Sequence, residues 1–247
     1  MGLLFRQDTM LVSVTSEEEA YTSVKNLALG LKKKLETKEA ELPVLHMVLG
    51  QKNEGFLTAG QVQFVARTGN YRKAGLPYTG ALRILKVALS YDYLWINIRV
   101  KGGAYGCMSG FGVMGASYFT SYRDPNLGAT NEVYEGVTDY VKNFHVDERD
   151  MTKYVIGTIS EIDTPLTARS KGLRSMTAWL SHTTQEEVQK ERDEILSATE
   201  KDIQKLAPYM EAILKTGSLC ALGGEERIKK EKELFGEIKP LIGSEGC

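Results

Sequence analysis

The sequence predicts an α+β fold: a two-layer sandwich with a mostly antiparallel sheet and helices packed on one face. Two observations support this fold class. Strand-like runs alternate with amphipathic helical segments in the first half of the chain, and the last third is helical before one more strand. No repeat, low-complexity tract or Pro/Ser-rich linker interrupts the 247 residues. We therefore expect a single domain over residues 1–247.

The N-terminal third predicts a strand, a helix, two further strands and a turn. The helix follows a capping box formed by Ser16 and Glu19 and carries apolar side chains at helical spacing. The last strand alternates Val62, Phe64 and Ala66 with the side chains between them. In chain order, these elements are predicted over residues 10–14, 17–36, 44–49, 61–66 and 69–70.

The middle of the chain predicts a buried helix followed by strands. Apolar positions between residues 79 and 94 are too dense for a surface helix, and this helix leads directly into a strand that carries Arg99. Residues 107–122 are rich in Gly, Ser and aromatic side chains, which predicts one strand, or two with a bulge at Gly112 or Gly115. The Asp-Pro-Asn sequence at 124–126 ends this stretch.

The C-terminal half predicts mainly helices. Thr164-Pro165 begins one helix, while Thr184 with Glu187 and Thr199 with Asp202 form capping boxes for two more. The other predicted elements are helices over 128–144, 148–162 and 225–234, and a short strand over 219–222.

Charge and cysteine content exclude several function classes. The formal net charge is -1 and the sequence pI is about 6.4, so nothing favours binding to nucleic acid or to an anionic membrane. The three cysteines are far apart and form no CxxC pair, which indicates a reducing compartment: the bacterial cytoplasm, or an organelle matrix if the source is eukaryotic. No apolar run approaches the ~20 residues that span a bilayer. The opening Met1-Gly2 indicates a cloning residue or a fragment boundary.

The segment from Arg99 to Tyr105 contains the most informative side chains. An arginine presents five donors that suit carboxylates and carbonyls, and a tyrosine hydroxyl can donate or accept. Gly102, Gly103 and Ala104 lie between them, and the glycines would let another main chain approach closely. This combination suits binding of a peptide. The alternative is structural: Arg99 caps a strand edge and Tyr105 packs on the sheet.

Other catalytic patterns fail on spacing. The three histidines are too far apart for a two-histidine zinc motif, so we expect no metal site in this chain. The glycine segment fits neither a P-loop nor a dinucleotide fingerprint, and Ser109 misses the nucleophile elbow by one residue. Cys107 is read as a small apolar side chain rather than a thiolate. The residues Glu132, Glu135 and His145 are read as solvated or helix-end groups.

Several motifs together resemble the C-terminal domain of presequence-protease and falcilysin type metallopeptidases, in the pitrilysin and insulin-degrading clan. The matching stretches are Asn53-Glu54-Gly55-Phe56, Gln61 to Val65, Ile98 to Gly106 and Tyr122 to Leu127. The string Arg-Val-Lys-Gly-Gly-Ala-Tyr-Gly, from Arg99 to Gly106, is the most specific of them.

The resemblance implies a longer enzyme of four α+β domains that enclose a chamber. Zinc and an inverted His-x-x-Glu-His motif would belong to an N-terminal half, which is absent here, so no cofactor is expected in this chain. Arg99 and Tyr105 match the Arg and Tyr with which the last domain assists catalysis by binding peptide near the scissile carbonyl, and residues 102–104 would adjoin the substrate. The partners implied are unstructured peptides and the catalytic half of the same chain. A homodimer of the isolated fragment is also expected. The rival interpretation is a non-catalytic scaffold domain of the same fold.

Overall fold

A computed structural model describes residues 5–37, 44, 46 and 50–242 of the chain. Contacts divide it into two compact units, Met1–Leu49 with Thr164–Val188 and Gly50–Asp163 with Gln189–Cys247. The larger unit holds the sheet and every predicted site residue. The proposal of a single domain over residues 1–247, cut from a longer chain, stays a prediction.

A six-stranded sheet forms one layer of the larger unit, in the order β3-β4-β2-β5-β1-β6. Its strands are β1 (Glu54–Thr58), β2 (Gln63–Asn70), β3 (Gly106–Phe111), β4 (Ala116–Asp124), β5 (Leu219–Gly224) and β6 (Glu237–Pro240). Strand β1 runs parallel to both β5 and β6, whereas the other three neighbouring pairs are antiparallel. This mixed sheet, mostly antiparallel, confirms the predicted α+β class.

Ten α-helices occur in the described part of the chain. They are α1 (Glu18–Lys32), α2 (Ala81–Ala88), α3 (Gly128–Glu135), α4 (Val137–Lys142), α5 (Glu148–Ile162), α6 (Ala168–Leu180), α7 (Gln185–Leu196), α8 (Glu200–Gln204), α9 (Ala207–Thr216) and α10 (Glu225–Lys230). Helix α2 continues through two π-helical stretches, Leu89–Tyr93 and Trp95–Lys101. Short 3-10 helices cover Tyr71–Ala74 and Lys232–Leu234.

The helices cover one face of the sheet and leave much of the other face open. On β4, Phe119 and Ser121 are buried whereas Tyr118 is 43% exposed. On β2, the buried face is not the one that carries Phe64 and Ala66. Gln63 is 1% exposed, whereas Phe64 is 44% exposed. Burial of this glutamine is tolerable because its Oε1 accepts a hydrogen bond from the Gly224 N–H at 2.9 Å.

Several element predictions need correction. Residues 10–14 form no strand, because no described strand pairs with them. The strand predicted over 44–49 lies mostly outside the described residues, and the described Val44 and His46 have no regular structure. Gly69 and Asn70 end β2 rather than turn the chain. Strands β1 and β6 were not predicted as strands, since neither shows a long apolar alternation.

In the smaller unit, α1 and α6 bury none of their side chains. The predicted capping box of α1 is wrong, because Glu17 is the N-cap and makes no side-chain cap bond. Helix α6 begins after Thr167, three residues beyond the predicted Thr164, because Thr167 accepts a hydrogen bond from the Ser170 N–H.

Two capping boxes in the C-terminal half are confirmed. At the start of α7, the Thr184 N–H donates to Glu187 and the Glu187 N–H donates back to the Thr184 hydroxyl. Thr199 and Asp202 form the same arrangement before α8. The sequence pattern predicts these caps well, because each cap side chain bonds a free N–H group in the first turn of its own helix.

Candidate functional site

Arg99 lies on a helix, not on the predicted strand. The alternation of Ile96, Ile98 and Val100 would place all three side chains on one face of a strand, yet the structure buries only Ile98. The Asn97 side chain donates to the Tyr93 carbonyl four residues earlier at 2.8 Å. Helical spacing therefore decides which of these side chains is buried. The β-branched residues lie in the second π-helical stretch, which continues α2 to Lys101.

Two glycines end this helix. Gly103 has φ +79, in the left-handed region that glycine occupies without a Cβ penalty. The Gly103 N–H donates to the Arg99 carbonyl at 3.0 Å, and the Ala104 N–H donates to the Ile98 carbonyl at 3.1 Å. The second bond spans one residue more than in a Schellman cap, in keeping with the wider π-helix. The glycines therefore terminate a helix rather than follow the strand predicted around Arg99.

The Arg99 side chain is exposed and stacks on an aromatic ring. Its guanidinium carbon lies 4.0 Å from the centroid of Trp95, one helical turn earlier. Such stacking holds the planar group over the ring while its N–H donors stay free to bind a ligand. The position therefore combines an oriented cation with access from solvent.

Tyr105 immediately precedes β3, and it is 60% exposed. Its ring centroid lies 5.5 Å from that of Tyr122, and the guanidinium carbon of Arg123 lies 5.5 Å from the Tyr105 ring. The Tyr105 N–H also donates to the Arg123 carbonyl at 3.3 Å. The ring thus contacts two neighbouring side chains, although much of the Tyr105 side chain remains open to solvent.

The loop after β4 is tied to the end of the Arg99 helix. The Asn126 side-chain amide donates to the Gly102 carbonyl at 2.6 Å. Asp124 is fully buried, and its carboxylate accepts from the Asn126 N–H at 2.9 Å and from the Thr130 hydroxyl at 2.8 Å. These bonds hold the segments that carry Arg99, Tyr105 and the neighbouring Arg123 side by side.

The three residues predicted to adjoin a substrate differ in access. Gly102 is half-buried, and a Cβ there would lie 2.5 Å from the Ile98 carbonyl oxygen. Gly103 is exposed, whereas Ala104 is only 4% exposed. Of this trio, Gly103 offers the most accessible backbone. Sequence reasoning did not select Arg123, because the contact that joins it to Tyr105 depends on the pairing of β3 with β4.

Three residues that the sequence does not assign to the site, Cys107, Glu135 and His145, have surroundings of their own. Burial raises the pKa of the Cys107 thiol to about 11, with Asp124 adding to the effect, so the thiol stays protonated at neutral pH. Glu135 pairs with Arg67 at 2.9 Å, and the His145 ring lies 3.1 Å from Glu200.

Neither a metal cluster nor a membrane span occurs in the described part of the chain. Residues 5–37, 44, 46 and 50–242 contain no group of three or more His, Cys, Asp or Glu side chains placed to hold a metal ion. Among the helices that the structure describes, none combines the length and apolar content needed to cross a bilayer.

Comparison of sequences finds a matching family. The model of the family described as the PreP C-terminal domain matches residues 53–222. "Protein HypA" of Clostridium perfringens is 44% identical over 240 residues, which are 97% of this chain and 25% of that protein. "Presequence protease 1, chloroplastic/mitochondrial" of Arabidopsis thaliana is 31% identical over 244 residues, 97% of this chain and 23% of that protein. The chain therefore spans about a quarter of the length of these curated relatives.

Comparison of structures supports the same fold. A peptidase M16 inactive domain from Pseudomonas fluorescens superposes with a TM-score of 0.59 at 13% identity, covering 83% of this chain and 51% of that one. A protease from Helicobacter pylori gives a TM-score of 0.55 at 12% identity, covering 81% and 52% of the two chains. At such low identity the likeness concerns the fold alone.

Proposed function

Because the chain belongs to the PreP C-terminal domain family, we propose that it is the substrate-binding domain of a peptidase that degrades unstructured peptides inside a closed chamber. Membership establishes a protease-related domain, and the role at the active site is our proposal. The observation that carries it is that Arg99, which stacks on Trp95, and Tyr105 are both exposed and lie on either side of the helix end at Gly103.

Each side chain would perform a distinct task on a bound peptide. The Arg99 guanidinium would donate two parallel hydrogen bonds to a carbonyl or carboxylate of the substrate. The Tyr105 hydroxyl would donate to the carbonyl oxygen that gains negative charge as the peptide bond is attacked. A donor placed for that charge is commonly worth ~3 kcal/mol in the transition state. The exposed backbone at Gly103 would lie against the substrate main chain.

The described residues do not fit a zinc ion, since no suitable cluster of ligands occurs among them. We propose that zinc belongs to the catalytic half of the full-length protein. That half, peptide substrates and a homodimer of the isolated chain are the partners we propose. A reducing compartment, the bacterial cytoplasm, is the proposed location, in keeping with Cys107 and Cys220 as free thiols.

A scaffold role is the second candidate, and one observation favours it. Gly102 and Gly103 already have a structural purpose as the end of the helix. A scaffold would still need these glycines but would have no need of the exposed Tyr105 hydroxyl.

The test is cleavage of a quenched fluorescent peptide by this chain alone, by the catalytic half alone, and by the two combined, each with and without a chelator. The proposal expects activity in the combination only. The Tyr105→Phe change should lower kcat by up to about 100-fold with a smaller effect on KM. Tyr122→Phe is the matched control, because it removes a hydroxyl from the neighbouring ring.

Two outcomes would contradict the proposal. Full activity from the catalytic half alone would favour the scaffold role. Chelator-sensitive cleavage by this chain alone would show that it carries a metal site of its own.

A further inference from the structure

We propose that Arg123 is a positioning residue, which fixes the Tyr105 ring in the orientation that its hydroxyl needs to reach the substrate. This inference deepens the proposed function and rests on it. Arg123 lies outside the segment from Arg99 to Tyr105, which contains all the residues proposed for the site.

Contacts join Arg123 to Tyr105 through both main chain and side chain. The guanidinium carbon lies 5.5 Å from the Tyr105 ring centroid, within the range of a cation–π contact. The Tyr105 N–H donates to the Arg123 carbonyl at 3.3 Å. The Tyr122 ring centroid lies 5.5 Å from the same ring, so two neighbouring side chains of β4 contact the phenol.

The Arg123 side chain makes no ion pair with any residue that the structure describes. Arginines that pair with carboxylates in the described part of the chain are Arg6, Arg67, Arg83, Arg192 and Arg227. The exposed Arg123 is therefore available to the ring of Tyr105.

The backbone at Arg123 is held in a conformation that arginine disfavours. Its φ is +48, in the left-handed region where a Cβ crowds the following carbonyl. The next residue, Asp124, is fully buried and hydrogen-bonded, and Asn126 is bonded to Gly102. The turn after β4 thus imposes the conformation, and it is the conformation in which the guanidinium lies by Tyr105.

An unrestrained phenol at a 60% exposed position would sample several rotamers, and only some would direct its hydroxyl towards a bound peptide. If the ring is already restricted before the substrate binds, no further conformational entropy of the Tyr105 side chain has to be lost in the catalytic step. Arg123 would therefore act on kcat through Tyr105, without a substrate contact of its own.

The first test is a double-mutant cycle in the assembled peptidase, with Arg123→Asn and Tyr105→Phe made singly and together. Asparagine tolerates the left-handed conformation, so the fold should persist. We expect Arg123→Asn to lower kcat by about 2-fold to 5-fold, the worth of an exposed cation–π contact, with KM little changed. In the Tyr105→Phe background the same change should have no effect, and Arg123→Lys should restore part of the activity.

A control for charge is Lys101→Gln, which removes a cation from the end of the Arg99 helix where Lys101 donates to Asn97 at 3.3 Å. If this change lowers kcat as much as Arg123→Asn, general electrostatics explains the effect and the inference fails. An equal loss from Arg123→Asn with and without the Tyr105 hydroxyl would indicate a direct substrate contact and would also overturn it.

The second test does not need activity, so it separates this inference from the proposed function. NMR spectra of the chain with ¹³C-labelled tyrosine rings would follow the Tyr105 signal, assigned by its loss in Tyr105→Phe. Arg123→Asn should shift that signal and increase ring mobility, whereas Lys101→Gln should not. An unchanged signal would refute the positioning role. If the signal responds but Tyr105→Phe leaves kcat unaltered, the contact is right and the proposed function is wrong.

Discussion

Gly103→Ala tests whether the backbone turn that separates Arg99 from Tyr105 is as the structure has it. The glycine has φ +79 and caps the Arg99 helix. An added Cβ would meet Pro125 Cγ at 3.6 Å, which is an ordinary van der Waals distance. Crowding therefore contributes little, and the cost of alanine is the cost of the left-handed conformation alone.

That cost is about 1–2 kcal/mol for an alanine. At roughly 2–4 °C per kcal/mol for a chain of this size, the melting temperature should fall by about 2–8 °C. Asparagine occupies the left-handed region more readily, so Gly103→Asn should lose less than half as much. Gly75→Ala is the matched control, because Gly75 has φ +77 and no atom within 4 Å of an added Cβ.

Differential scanning calorimetry of these variants measures the effect directly. Gly30→Ala should change the melting temperature in the opposite direction, because Gly30 lies in α1 with open space around it and alanine favours a helix. A melting temperature of Gly103→Ala equal to that of the wild type would refute the left-handed cap. Peptide cleavage then adds a functional result: if substrate main chain lies against Gly103, Gly103→Asn should raise KM even though the variant keeps most of its stability.

The remaining predictions concern three other side chains. Arg99→Ala should raise KM by about tenfold, while loss of the contact with Trp95 lowers the melting temperature by no more than about 4 °C. Arg99→Lys should restore little, because lysine lacks the planar fork of donors; a collapsed melting transition would instead indicate a structural role. The folded pKa of Cys107 is raised from 9.0 to about 11 by burial, so its contribution to stability is complete below pH 9 and is lost as pH rises towards 11. Urea unfolding across that window should therefore show wild type losing more stability than Cys107→Val, and parallel curves would contradict this. Gln63→Leu removes the acceptor of the Gly224 N–H and should cost about 1–3 kcal/mol in urea unfolding, whereas a loss below about 0.5 kcal/mol would show that the bond is replaced.

Helix ends and buried apolar segments could be predicted from the sequence because their signals are local. The Thr184 and Thr199 capping boxes are examples, since each joins residues three positions apart. The helix over 148–162 was predicted with the bounds that the structure gives. The strand predicted for residues around Arg99 failed because alternating β-branched residues fit a strand locally, while the buried side chain of Ile98 fits the preceding helix.

Sheet pairing could not be read from the sequence, because it joins segments that are far apart in the chain. Strand β1 is identified by its parallel neighbours β5 and β6, which lie more than 160 residues further along. Burial of Gln63 likewise depends on the Gly224 N–H across the sheet. The local alternation predicted that the apolar residues of β2 face the core. The pairing of β2 within the sheet instead turns the face that carries Gln63 towards the core.

By itself, the sequence determined which family the chain belongs to and which two side chains are candidates for binding a peptide, since both follow from residue types at fixed spacing. Only the tertiary structure decided that Arg99 lies on a helix, that Gly103 ends it, and that Arg123 lies by Tyr105. The physical reason is that these features depend on strand pairing and on loop contacts such as Asn126 to Gly102, which no local pattern encodes.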